Sequence, residues 1–134
     1  KRILKDDNEC LELGNLDSLR DWGHAKDYVK GMWMMLQQDE PDDFVLATGE
    51  QHSIREFVEK AFRINDIQIQ WIYTGLEERG INSTTGKTCV KINKKYFRPT
   101  EVDTLLGDAS KAYQAFGWKP TMTFNEILYD MNNN

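Results

Sequence analysis

The run Phe44-Val45-Leu46-Ala47-Thr48-Gly49, followed by Ser53-Ile54-Arg55-Glu56-Phe57-Val58, decides how this chain is read. Continuous apolar residues closed by a glycine suit a strand buried on both faces, the habit of parallel sheets. Ser53 and Glu56 then stand at the spacing of a capping box, and Ile54, Phe57, Val58, Ala61 and Phe62 recur on one helical face. A strand leading into a helix in this way predicts an α/β protein.

Toward the amino terminus, Ala25, Tyr28, Val29, Met32, Trp33 and Leu36 follow the i, i+3, i+4 rule. They predict an amphipathic helix that ends near Asp39, before Pro41. Large apolar residues at helical spacing read as core, so Met32 to Met35 are taken as packing rather than as a cofactor box. Before that helix, Glu9 to Leu13 reads as a short strand, Gly14 to Ser18 as its turn, and Arg20 to Trp22 as a return to extended chain.

Toward the carboxyl terminus, Ile67 to Trp71 alternates as a strand should, and Thr88 to Ile92 forms a second strand after the polar stretch Asn82 to Lys87, expected to be a mobile loop. Asp108 can cap a helix from Ala109 to Phe116 that stops at Gly117, and Thr123 with Glu126 forms a capping box opening Ile127 to Met131. These strands are too few for a complete doubly wound sheet. The expectation is one α/β domain over residues 1–134, a small mixed sheet with helices.

A chain of 134 residues can bury about two-thirds of its unfolded surface, and 40% hydrophobic with 29% charged residues is ordinary globular usage. No apolar run is long enough to span a membrane. Lys1 to Asp7 lacks the apolar centre of a signal peptide. It also lacks an initiator Met, which suggests a trimmed chain or a piece of a longer one. A net charge of −5 argues against nucleic acid or an anionic membrane as main partner, since both demand a dominant basic surface. Cys10 and Cys89 are isolated and lack metal spacing, which fits a reduced, cytoplasmic protein. The charge is uneven: Arg79, Lys87, Lys91, Lys94, Lys95 and Arg98 fall in a stretch without acidic residues. That stretch is either a solvated face or an anion-attracting rim.

Several chemistries have no motif here. There is no Gly-x-Gly-x-x-Gly, no phosphate loop, no Cys/His cluster of zinc spacing and no tyrosine followed four residues later by lysine. His24 and His52 read as surface or cap residues. No catalytic, cofactor-binding or metal-ligating residue is therefore assigned. The remaining pattern suits binding: Arg20-Asp21-Trp22 and Arg98-Pro99-Thr100-Glu101-Val102-Asp103 are two arginine-centred motifs in an acidic protein. A diphosphate needs fixed planar cations, which Arg20 and Arg98 supply, and a carboxylate such as Glu101 can accept both hydroxyls of a ribose. The competing reading is simple ion pairing, Arg20 with Asp17 or Asp21 and Arg98 with Glu101.

Whole words of the sequence bear on that choice. Leu13 to Val29, Asp39-Glu40-Pro41, Ala47-Thr48-Gly49-Glu50 with His52-Ser53, Tyr96 to Asp103, Gly107-Asp108 with Lys111, and Trp118-Lys119-Pro120 together resemble the GDP-mannose 4,6-dehydratase family of the extended short-chain dehydrogenase/reductase superfamily. The resemblance covers nearly the whole chain but only the carboxy-terminal, substrate-binding portion of such enzymes. It implies that Arg20 and Arg98 approach the nucleotide diphosphate and that Glu101 contacts the ribose. It implies, for a parent enzyme, an internal redox dehydration of GDP-mannose to GDP-4-keto-6-deoxymannose on the way to GDP-fucose and related deoxysugars. NADP, a missing amino-terminal Rossmann domain and a homo-oligomeric parent are implied with it. The segment Ile64 to Lys87 departs most from the family's words. The chain alone is then an inactive fragment of a lyase. A non-catalytic nucleotide-sugar binding module, or a piece that binds nothing without its missing half, are the alternatives.

Overall fold

The structure, a computed structural model, describes residues 9–100, 102 and 104–133. Among these, the chain runs β1 (Leu11–Leu13), β2 (Leu19–Arg20), α1 (Ala25–Met35), β3 (His52–Ser53), α2 (Ile54–Arg63), β4 (Ile69–Ile72), a 3₁₀ turn (Gly75–Glu77), β5 (Arg79–Asn82), β6 (Thr88–Ile92), α3 (Ser110–Phe116) and α4 (Phe124–Asn133). It divides into two compact units, residues 1–18 with 53–103 and residues 19–52 with 104–134. The expected class, a small mixed α/β sheet with helices, is what forms.

The first unit is a four-stranded sheet in the order β1-β6-β5-β4. β1 runs parallel to β6 with Leu11 opposite Val90, whereas β4–β5 and β5–β6 are antiparallel. Helix α2 starts where its capping box predicts, the Ser53 hydroxyl accepting the Glu56 N–H at 3.0 Å. Its Val58 and Phe62 pack with Cys89 and Val90, and Leu11, Leu13, Ile54, Ile67, Ile69 and Trp71 close around them. Each fully buried valine or phenylalanine of such a core contributes about 2 kcal/mol. Arg55 fastens the helix outward: it hydrogen-bonds Glu78 at 2.6 Å and Asp17 at 2.9 Å and lies 4.7 Å over the Trp71 ring. The bond to Glu78, ahead of those to Asp17, holds its pKa above the ordinary arginine value.

Strand β5 is not legible from alternation, because Arg79-Gly80-Ile81-Asn82 has too few apolar positions. Packing explains the glycine. A Cβ at Gly80 would stand 2.9 Å from Ile69 Cγ2 and 3.0 Å from Trp71 Cζ3. The following stretch, expected as a mobile loop, is a hydrogen-bonded hairpin. Asn82 N–H donates to Lys87 O and Gly86 N–H to Asn82 O, both at 2.8 Å, while the Asn82 side chain accepts the N–H groups of Thr84 and Thr85.

The second unit holds β2, α1, α3 and α4. Its centre is Trp118, 2% exposed, with Phe124, Ile127, Leu128, Ala112 and Ala47. Asp27 on α1 is the buried fastener of this unit. Its carboxylate accepts the Thr121 hydroxyl at 2.6 Å and the N–H groups of Thr121 and Met122, while its carbonyl accepts the Trp118 indole N–H at 2.9 Å. Helix α4 opens on the reciprocal box of Thr123 and Glu126, and α3 stops at Gly117, which takes the left-handed φ of 71° that a C-terminal glycine permits.

Two expectations are corrected here. Phe44 to Thr48 forms no strand and belongs to no ladder among the described residues. A buried parallel strand needs neighbours that the described residues do not supply. Helix α1 forms over the expected residues, but its buried positions are Asp27 and Gly31. Val29, Met32, Trp33 and Leu36 are exposed, Leu36 to 82%. The period of the apolar stripe was read correctly, and its destination was not.

Candidate functional site

The loop before Arg98 is built on the end of β1. Asn93 starts it: its N–H donates to Leu13 O at 2.8 Å, its side-chain amide donates to Glu12 at 2.6 Å, and its carbonyl accepts the N–H groups of Tyr96 and Phe97. Gly14 is required at the crossing, since a Cβ there would collide with Tyr96 O. Asn15 ends the loop. Its Oδ1 accepts the Arg98 N–H at 2.8 Å and its Nδ2 donates to Arg98 O at 2.9 Å. The main chain of Arg98 is thereby held on both sides while its side chain stands exposed.

Of the basic stretch around it, Lys91 is engaged with Glu12 at 2.8 Å. Hydrogen bonds from Lys91, then Asn93, hold the Glu12 carboxylate below the usual range, and Glu12 in turn raises Lys91. Burial pushes both cysteine thiols up, so neither Cys10 nor Cys89 is poised as a nucleophile.

Arg20 sits on β2 in the second unit, its guanidinium donating to Leu19 O at 2.7 Å. The next residue of the same motif, Asp21, has a defined task. Its carboxylate accepts the Thr48 N–H at 3.0 Å, the Thr48 hydroxyl at 2.6 Å and the Gly49 N–H at 2.9 Å. That fixes the loop after Phe44 to Ala47, whose other side is gripped by Lys111 through Asp42 at 2.7 Å and Asp43 O at 2.9 Å. Thr48 and Gly49 border an open cavity of about 600 Å³ in this unit, with Gly107, Ser110, Tyr113 and Lys119 also on its wall.

The two histidines serve structure. His24 caps α1, its Nδ1 accepting the Lys26 N–H at 3.1 Å, and its Nε2 lies 3.2 Å from Asp130. His52 stacks on Phe124 with ring centres 3.9 Å apart. Tyr28 has its hydroxyl pKa raised by burial and then by Asp21 and Asp27, which keeps it protonated. No group of three or more potential metal ligands exists among the described residues. Among the described residues no helix is long and apolar enough to cross a membrane.

The three residues singled out from sequence are thus met differently. Arg98 belongs to the first unit and Arg20 to the second, each on a fixed backbone, and Glu101 lies outside the described residues. Asp17 bonds Arg55, and Asp21 bonds Thr48 and Gly49. Sequence reasoning missed Asn15 and Asp21 as organisers of the two arginine loops. Only their place inside the quoted words, beside the arginine in one case and in the turn after β1 in the other, could have flagged them.

The sequence profile of the family described as GDP-mannose 4,6 dehydratase matches residues 1–131. A GDP-mannose 4,6 dehydratase of Drosophila melanogaster is 57% identical over 130 residues, covering 97% of this chain and 33% of its own length. That of Homo sapiens is 56% identical over 123 residues, covering 92% and 33%. The chain therefore spans about a third of the curated relatives it matches. Among solved structures, RMD from Pseudomonas aeruginosa complexed with NADPH superposes with a TM-score of 0.65 at 21% identity, over 92% of this chain and 36% of that one. MoeE5 in complex with UDP-glucuronic acid and NAD gives 0.64 at 20%, over 91% and 35%. At such identities the likeness is one of fold.

Proposed function

We propose that this chain, which belongs to the GDP-mannose 4,6-dehydratase family, is the nucleotide-sugar-binding portion of such an enzyme, a lyase forming GDP-4-keto-6-deoxymannose for GDP-fucose and deoxysugar synthesis. Arg98 and Arg20 grip the diphosphate, and Glu101 takes the ribose hydroxyls. The observation that carries the reading is the backbone of Arg98, bracketed by Asn15 while its cation faces solvent. A guanidinium on a fixed main chain spares the entropy of ordering its loop when it closes on a phosphate, and it cannot be deprotonated.

The chain's contribution is binding and orientation. Where β3 enters α2 there is no glycine for a pyrophosphate to approach, and Ser53 already accepts the Glu56 N–H. NADP, which the family's chemistry calls for, is assigned to the remainder of a longer polypeptide.

That remainder is the chain's nearest partner in this reading. The exposed Val29, Met32, Trp33 and Leu36, and the apolar run Phe44 to Ala47 that joins no ladder among the described residues, support it as the cover of this face. Assembly into a homo-oligomer belongs to the parent enzyme. Two free thiols support a reducing, cytoplasmic setting.

Calorimetric titration of GDP-mannose tests the proposal. The longer polypeptide binds, and Arg98→Ala and Arg20→Ala each weaken binding by about tenfold or more, as loss of a charge-assisted hydrogen bond does. Unchanged affinity in both variants overturns it. Full affinity in the isolated 134-residue chain favours an autonomous binding module instead.

A further inference from the structure

We infer that Asn15 is a positioning residue for Arg98, and through it sets affinity for the diphosphate of the nucleotide. The inference rests on the reading of Arg98 as a diphosphate ligand. Its own support is the bracket. One side-chain amide satisfies both main-chain polar groups of one residue 83 positions away, at 2.8 and 2.9 Å. This is the exchange a neighbouring strand would make, supplied where Arg98 joins no ladder among the described residues.

The surroundings concentrate the constraint on that residue. Asn93 fixes the start of the loop on β1, Gly14 admits the Tyr96 carbonyl, and Asn15 fixes the end. Asn93 and Asn15 thus tie the loop at both ends and hold the Arg98 main chain between them. A bidentate grip on phosphate depends on that Cα, because the guanidinium's planar fork must meet two oxygens together. The amide is also the chemistry required. Aspartate would keep the acceptor for the Arg98 N–H but lose the donor to Arg98 O, and would bring a negative charge to an anion site.

The test is a double-mutant cycle on GDP affinity, measured by calorimetry on the longer polypeptide that carries this chain. It compares Asn15→Ala, Asn15→Asp, Arg98→Ala and the Asn15→Ala/Arg98→Ala double variant, with GMP as a ligand lacking the second phosphate. Asn15→Ala is expected to weaken GDP about tenfold and GMP less, and to add less than twofold once Arg98 is already alanine. In steady-state assays the same variant raises KM for GDP-mannose and leaves kcat unchanged. Asn15→Asp, which keeps one bond of the bracket, carries the test should the alanine variant fail to fold. GDP affinity unchanged in Asn15→Asp and Asn15→Ala while Arg98→Ala weakens it overturns the inference, as do fully additive effects. GDP affinity unchanged in Arg98→Ala overturns the underlying nucleotide reading instead.

Discussion

Asp27 shows how one side chain can matter more to this protein than its hydropathy suggests. It is 5% exposed and accepts three hydrogen bonds from Thr121 and Met122. Burial works against its charge, but those bonds outweigh burial and hold its pKa below the ordinary aspartate value. A carboxylate depressed on folding stabilises the protein above its unfolded pKa of about 3.9, and that contribution disappears as pH falls through the lower folded value. Asp27→Asn presents an amide donor to N–H donors and is expected to cost about 2 kcal/mol at neutral pH. In urea titrations the gap between wild type and variant should hold steady above about pH 5 and shrink below about pH 4. A gap independent of pH would mean that the charge is not what Thr121 and Met122 recognise. Nothing in the local sequence announces this role, since Asp27 on a helix reads as a solvent-facing residue; its partners lie 94 and 95 positions away.

At the scale of elements, propensity and packing give opposite answers for helix α1. Gly31 stands inside it, where alanine is intrinsically better by about 1 kcal/mol. An added Cβ would come within 2.5 Å of Leu46 Cδ1 and 2.7 Å of Trp118 Nε1. Leu46 can rotate aside, but the indole is pinned by its bond to Asp27 O. Gly31→Ala is therefore expected to destabilise the protein by about 1–2 kcal/mol in thermal or urea unfolding. A stabilised variant would show that the helix moves off Trp118 at little cost. The same contrast explains which elements were legible. Capping residues, glycine stops and apolar period located α1, α2, α3 and α4 because these signals act within a few residues. Strand β5 escaped because a glycine demanded by Trp71 erased its alternation.

For the molecule as a whole, the exposed stripe of α1 gives a test of where the apolar residues belong. Val29, Met32 and Trp33 are each more than half exposed, 58–64%. The double change Met32→Lys/Trp33→Glu should alter the unfolding free energy of the 134-residue chain by no more than about 0.5 kcal/mol. It should also reduce self-association in size-exclusion chromatography with light scattering. Were these residues core, as helical spacing alone suggests, their loss would cost about 3–5 kcal/mol. In the longer polypeptide of the proposed function, which would cover this stripe, the same pair is expected to be destabilising.

The sequence by itself determined the class, the capped helices, the family and the arginine loops that the proposed function uses. Such information is local or lies in recurring words, and neither depends on what stands across the chain. Tertiary structure decided which face of α1 is buried, that Phe44 to Thr48 has no ladder partner among the described residues, and that Asn15 meets Arg98. Periodicity states that a face is apolar, but only the arrangement of other segments states what covers it. The bond between Asn15 and Arg98 joins residues 83 positions apart, a distance over which no propensity or spacing rule reaches.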